Sequence, residues 1–418
     1  MNRIVIKFGG TSVMDLDRIR DAAKIVLTEV LHGNQVIVVV SAMGHSTDHL
    51  IDMAKELQHK PDARELDYLM VTGEQVSCAL LTMAIQSLGG KARSFDGGAA
   101  GILTDSTFGS AEIKQINPQA LLSYLNDNCV PVVPGFQGRD AFGQWTTLGR
   151  GGSDTTAIAL AAAVSAQRCD IYTDVTGVFS ADPNLFEHAY KLDSIAYSEM
   201  LELAKNGAQV LNARSVDIAM RNHVAVRVRS TFRPADLGTL VTASTTSQLN
   251  WFTGVAVMKE QALIKIQMTA AGLCGTRKKR EYRHARFKIK AQLLSLLRKG
   301  GLVFEQCRSL SESAQELSLC LSEHDVETAL ESLKPQCEYL GFEDIRVEGG
   351  LNKVSLIARD ITSQREVDAI RALAQDGISI RGVSGSPRRI SFLVSKELRA
   401  ATVERLHTNL CKLQLLAS

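Results

Sequence analysis

Lys7 closes an apolar run and is followed at once by Phe8-Gly9-Gly10-Thr11-Ser12. An ammonium beside a glycine-rich, hydroxyl-bearing loop suits phosphate. Glycines let backbone N–H groups approach anionic oxygens closely, and lysine neutralises their charge. The order of residues excludes the loop G-x-x-x-x-G-K-[ST], in which the lysine follows the glycines. Four more loops of the same character occur: SAMGHSTD (41–48), PGFQG (134–138), LGRGGSDTTA (148–157) and TDVTGVFSADP (173–183). One Gly-Gly pair is normally a tight turn. A set of such loops at strand ends describes a site for a polyphosphate beside a small polar substrate.

Elements that could hold these loops are readable in the first 240 residues. RIVIKF, QVIVVVSAM, CVPVVPGFQG, CDIYTDV and VAVRVRST read as buried strands. Helical periods lie between them, at about Leu16–Leu31, in ARELDYLMVTGEQVSCALLTMAIQSLG, in SDTTAIALAAAVSA and in SEMLELAKNGAQVL. Continuous Val/Ile strands alternating with helices predict an α/β sandwich with a mainly parallel sheet covered on both faces. Residues 241–255 are rich in Thr and Ser without a period and read as a linker. Beyond it, 256–350 and 351–418 read as two smaller α+β modules of ferredoxin-like type, strand–helix–strand–strand–helix–strand.

Composition sets the class. The chain has 418 residues, 45% hydrophobic and 22% charged, with a formal net charge of only +2. No global field draws it to nucleic acid or membrane. Eight scattered cysteines with no C-x-x-C pair read as reduced core thiols. With no charge-free apolar run of spanning length and no room for a leader before Ile4, the expectation is a cytoplasmic protein. Arg277-Lys278-Lys279-Arg280 and the basic residues up to Lys290 read as a solvated loop, not a nucleic-acid surface.

The words KFGGTSV, VVVSAMG…TD, GE (73–74), TTLGRGGSDTTA, TDVTGVFSADP and MLELAKNGAQVL, in this order over nearly all of 1–240, resemble the amino acid kinase family and, within it, aspartokinases. The resemblance implies a catalytic domain over 1–240 and two C-terminal ACT domains. It implies phosphoryl transfer from ATP, with Mg²⁺ held mainly through the nucleotide phosphates, to the side-chain carboxylate of L-aspartate. That acceptor is already ionised at neutral pH, so catalysis reduces to positioning and charge neutralisation. By the same resemblance Lys7 and Asp154 are catalytic, and Ser41, Thr47, Glu74, Arg150, Gly151 and Gly152 bind aspartate. Lys7, Gly9, Gly10, Ser12, Thr173, Asp174, Phe179 and Asp182 bind ATP. No protein metal cluster is implied. The ACT domains imply a homodimer or higher oligomer and a possible lysine or threonine effector.

Several family letters are replaced. Ala99 stands for a glutamine, Phe179 for a tyrosine, Asn184 for an arginine, Gln209 for a lysine placed near the phosphates, and Asn212-Ala213 for His-Pro. Lys191 and Lys205 are the candidates to compensate for Gln209. The loops that would take an effector, 268–290 and 359–368, are respectively basic and without glycine. The changes at Gln209 and Asn184 favour an alternative, a non-catalytic or weakly active amino-acid-sensing subunit that partners an active kinase. Lys7, Arg150 and Asp154 oppose it.

Overall fold

The computed structural model describes residues 2–244, 252–268, 290–308, 316–336 and 342–415. The chain divides into two units. The first holds 1–179, 191–204 and 209–247; the second holds 180–190, 205–208 and 248–418.

The first unit is built on an eight-stranded sheet. Its strands, in chain order, are β1 (Arg3–Phe8), β2 (Gln35–Val40), β3 (Ala92–Ser94), β6 (Val130–Pro134), β9 (Arg168–Thr173), β10 (Ser194–Ala196), β11 (Val226–Ser230) and β12 (Thr239–Thr242). Their spatial order is β10-β12-β11-β9-β1-β2-β6-β3, and only the β11–β12 pairing is antiparallel. A small second sheet joins β4 (Ile102–Thr104), β5 (Ile113–Ile116), β7 (Gln137–Arg139) and β8 (Trp145–Thr147) in the order β5-β4-β7-β8. The parallel α/β architecture is as the strand pattern predicts.

Strand period decides which side chains meet the helices. Ile4, Ile6 and Phe8 point to one face, where α1 (Leu16–Leu31) and α3 (Ala63–Ser87) deliver Ile19, Ala22, Val26, Cys78, Leu81 and Ile85 to one apolar cluster. Val5 and Lys7 therefore point to the opposite face, against which α5 (Gly152–Ala163) packs. α3 is long and apolar enough to span a bilayer by composition alone. It is instead a core helix, packed on the sheet and carrying the buried carboxylates Asp67 and Glu74.

The second unit has a six-stranded antiparallel sheet in the order β14-β15-β13-β16-β18-β17. Its strands are β13 (Phe252–Met268), β14 (Phe304–Cys307), β15 (Glu316–Ser322), β16 (Phe342–Ala358), β17 (Gly382–Ser386) and β18 (Arg389–Ser395). The two modules are nested, not consecutive. β13 and β16 each run through both, with register shifts between Met258 and Leu263 where Glu260 takes φ +53. Gln261–Gln267 pairs with β15, whereas Phe252–Met258 pairs with the distal half of β16 beside β18. The module read at 351–418 thus takes its fourth strand from before 260, part of it from the segment read as linker. Two helices, a segment over 290–299 and Val326–Leu333, cover one apolar cluster. Residues from Ser363–Gln375 and Arg399–Leu415 enter another.

The second unit also holds 180–190. Ala181 and Phe186 lie in its apolar cluster, and Ser180 Oγ is 2.8 Å from His407 Nε2. A chain-order reading cannot anticipate this, since the segment lies within 1–240. The basic residues 277–288 fall outside the described residues.

Candidate active site

Four adjacent parallel strands, β9, β1, β2 and β6, end at one edge of the first unit's sheet, and four of the five marked loops follow them; the fifth, 148–157, follows β8 of the small sheet. Lys7, on the α5 side of β1, places Nζ 2.6 Å from Asp154 Oδ1 in the first turn of α5. Both side chains are nearly enclosed, at 11% and 13% exposure. The strand period and the helix start thus create the ion pair.

The loop after β2 meets α3. Ser41 donates its N–H to Phe8 O and accepts from Ser77 Oγ at 2.7 Å. Glu74, 4% exposed, accepts the Ala42 N–H at 3.2 Å through Oε1, while Oε2 has no partner among the described residues. Burial pushes its carboxyl up to about 7, partly opposed by the Ala42 amide and by the charge of Lys7. Glycines allow the close approach. A methyl group on Gly73 would lie 3.1 Å from Ala42 Cβ and 3.9 Å from Thr47 Oγ1, and one on Gly10 would meet Ala42 O at 3.0 Å.

Arg150 sits in an exposed position between Gly149 (φ +75) and Gly151 (φ +70). Its guanidinium has no hydrogen bond or ion pair among the described residues. Gly152 begins α5 under Phe136 and Leu148, where a Cβ would come within 3.0 Å of both. Gly135, at the end of β6, abuts Ser153 in the same way. Lys7, Asp154, Glu74, Ser41, Thr47 and the Arg150–Gly152 turn are therefore carried by elements that converge on one edge of one unit.

The phosphate cradle differs from the expectation. The Gly9 N–H donates to Tyr172 O at 3.0 Å, because the parallel β1–β9 pairing continues one residue past β1. Ser12 is fully buried. The tight helical turn Gly10–Val13 rotates it inward, so that its hydroxyl lies 3.4 Å from Tyr172 O and accepts from Thr231 Oγ1 at 2.6 Å. Both groups have partners within the protein. Thr173 Oγ1 donates to Asp174 Oδ1 at 3.0 Å at the end of β9, and Phe179 pairs with Lys191 across a bridge. Asp182 belongs to the second unit, where Oδ1 holds the N–H and the side-chain amide of Asn184 at 2.9 and 3.0 Å. The arginine-to-asparagine replacement thus closes a local turn.

The other replaced positions are also placed. Ala99 donates its N–H to Asp96 at 2.7 Å. Gln209 is exposed, Lys191 is paired with Asp236, and Lys205 is exposed. Asp67 and Arg214, which sequence reasoning passed over, surround the Arg150 loop together with Asn212, which it marked only as a replaced family letter. Asp67 accepts from Thr147 and Gly109, Arg214 donates to Leu148 O and Ala111 O, and Asn212 donates to Arg150 O. One signal was available for Asp67: it lies seven residues before Glu74, on the same face of α3. Among the described residues no three His, Cys, Asp or Glu side chains are grouped to hold a metal.

The first unit thus carries a nearly enclosed lysine–aspartate pair, a carboxylate oxygen with no partner among the described residues, and an exposed arginine in the turn from β8 to α5. The amino acid kinase family model matches residues 2–230, and the chain belongs to that family. Its place within the family is among the aspartokinases. It is 40% identical over 412 residues to the aspartokinase of Bacillus sp. strain MGA3, covering 97% of each chain. Aspartokinase 2 of Bacillus subtilis strain 168 is 38% identical over 410 residues, again with 97% of each covered. E. coli aspartokinase III in complex with aspartate and ADP, in the R-state, superposes with a TM-score of 0.80 at 27% identity, covering 97% of this chain and 99% of that one. The same enzyme with lysine and aspartate, in the T-state, gives 0.74 at 26% identity with the same coverage.

Proposed function

We infer that this chain phosphorylates the side-chain carboxylate of L-aspartate from ATP, giving 4-phospho-L-aspartate, the first step of the aspartate-family amino acid pathway. The observation that carries this reading is the Lys7–Asp154 pair beside the orphaned Glu74 oxygen. Nearly full-length kinship to aspartokinases favours it over a sensing subunit. Lys7 neutralises the transferring phosphoryl group, and Asp154 holds the ammonium in place. Glu74 Oε2 receives the α-ammonium of aspartate, and Arg150 pairs with its α-carboxylate in bidentate geometry. Ser41 and Thr47 close the pocket, with Gly151 and Gly152 leaving room for it.

Gly10 borders the phosphates, and Thr173, Asp174 and Phe179 take the nucleoside end. The described residues form no metal cage, so Mg²⁺ fits as an ion carried by the nucleotide, where it would screen phosphate charge. The second unit has a cavity of about 440 Å³ lined in part by Arg308, Glu366, Ser384, Pro387 and Arg389. Charges of both signs there suit an amino-acid effector such as lysine or threonine. The antiparallel modules suit assembly into a dimer or higher oligomer, and free thiols at every described cysteine suit the cytoplasm.

Purified protein with Mg-ATP, L-aspartate and hydroxylamine tests the reading. Aspartyl hydroxamate should form, and Lys7→Ala should slow its formation by roughly 10²–10³ or more. A wild-type protein that binds ATP without forming the hydroxamate overturns the assignment in favour of the sensing subunit.

A further inference from the structure

We propose that Asp67, Asn212 and Arg214 are positioning residues for substrate recognition, which clamp the peptide units from Thr147 to Arg150 and so fix where the Arg150 guanidinium is presented. The proposal rests on the reading of Arg150 as the group that pairs with the α-carboxylate. The loop needs such a clamp. It crosses from β8 to α5 with left-handed backbone at both Gly149 and Gly151, a conformation glycine tolerates but does not enforce.

Each fastening is made by a side chain distant in sequence. Asp67, fully buried in α3, accepts from Thr147 N at 2.8 Å and Thr147 Oγ1 at 2.7 Å, and both its oxygens reach Gly109 N, at 3.1 and 3.0 Å. Burial raises its carboxyl pKa, and these bonds to Thr147 and Gly109 oppose the rise. Gly109 is itself pressed against the loop, since a Cβ on Gly149 would lie 3.2 Å from Gly109 O. From the other side, the Arg214 fork donates to Leu148 O at 3.2 Å and to Ala111 O at 2.9 Å. Asn212 Nδ2 donates to Arg150 O at 3.1 Å. The orientation of that amide is settled by its other end: Oδ1 accepts the Arg214 N–H at 2.9 Å as the N-cap of α7 (Ala213–Arg221). A methyl group on Gly151 would collide with Asn212 Cβ, so the glycine and the asparagine fit as a pair.

Asp67 and Glu74 lie seven residues apart on α3, a rise of about 10.5 Å along one rigid helix. Glu74 is aimed at the α-ammonium, and Asp67 anchors the loop that carries the partner of the α-carboxylate. One helix thereby sets the separation of the two charges that would grip the amino-acid head group. Pre-organisation of this kind acts on substrate binding and leaves nucleotide binding alone.

Kinetics of three variants and one double variant test the clamp. Asn212→Ser keeps an N-cap oxygen but loses the amide that reaches Arg150 O, and Arg214→Lys keeps the charge but loses the fork. Each should raise KM for aspartate about tenfold, with KM for ATP and kcat at saturating aspartate within about threefold of wild type. Arg150→Lys should raise KM for aspartate at least as much. Asn212→Ser should then add little in the Arg150→Lys background, because a clamp on an absent guanidinium has nothing to position. If Arg150→Lys raises KM for aspartate while neither Asn212→Ser nor Arg214→Lys does, the clamp is wrong and the role of Arg150 stands. Full additivity in the double variant also overturns it, as does an equal rise in KM for ATP, which marks a general structural role. An unchanged KM for aspartate in Arg150→Lys overturns the reading of Arg150 and the clamp with it.

Discussion

Two glutamates, one in each unit, are both largely withdrawn from water and have opposite electrostatic fates. Glu74 has one amide on Oε1, nothing on Oε2, and a pKa raised to about 7 by burial. Glu305 is also desolvated, but the hydrogen bonds and charges of Arg389 and Lys353 outweigh burial and bring it to about 2. Arg389 Nη1 reaches Glu305 Oε2 at 2.9 Å, Asn206 Oδ1 at 3.1 Å and Ser391 Oγ at 2.8 Å, and Lys353 Nζ reaches Glu305 at 3.0 Å. A largely buried cluster whose charged groups are paired with one another stabilises a fold. A buried carboxylate left short of a cation is the group that, on the proposed reading, a ligand ammonium would complete.

The largest effect is expected at the site itself: Lys7→Ala should lower kcat by roughly 10²–10³ or more, read by hydroxamate formation at saturating substrates. Next, the two glutamates should part company on removal of their charge. Glu305→Gln should lower unfolding free energy by about 3 kcal/mol in denaturant titration, by breaking a buried network, and should leave kcat unchanged. Glu74→Gln should leave stability unchanged or raised, yet weaken aspartate about 10- to 100-fold in KM, the range of a hydrogen bond to a charged group. Equal stability losses in both variants would erase the distinction.

The pH dependences have opposite signs. Glu74 is raised, so below about 7 it is neutral and cannot receive an ammonium. KM for aspartate should fall about tenfold from pH 6 to pH 8, and the slope should vanish in Glu74→Gln. Glu305 is lowered from 4.5 to about 2. Its stabilising contribution is complete above the unfolded value and is lost as pH falls through that interval. The Glu305→Gln penalty should therefore shrink from pH 6 to pH 3 in equilibrium unfolding, the smallest of these effects.

Lys7, Arg150 and Asp154 stand in short words at a strand end or a helix start, whose local structure is fixed within a few residues, whereas Glu74 lies mid-helix in α3 and is marked in the chain only by its family word. Asp67, Asn212 and Arg214 are not placed by such words, since their partners lie 42 to 103 positions away and depend on how β8, α3 and α7 pack. The inward turn of Ser12 and the engaged Gly9 amide escape for the same reason: a residue type states what bonds a group can make, not which partner reaches it first. Segment 180–190 reads as part of the kinase run but enters the other unit's core through Ala181 and Phe186.

By itself the sequence determined the parallel α/β unit, its strand-end loops and the charged residues those loops carry, because hydrophobic period and glycine placement act over single elements. Only the tertiary structure decided which carboxylates are satisfied, which backbone amides remain for a ligand, and that the two small modules share strands, because hydrogen-bond satisfaction and strand partnership are settled between segments far apart in the chain.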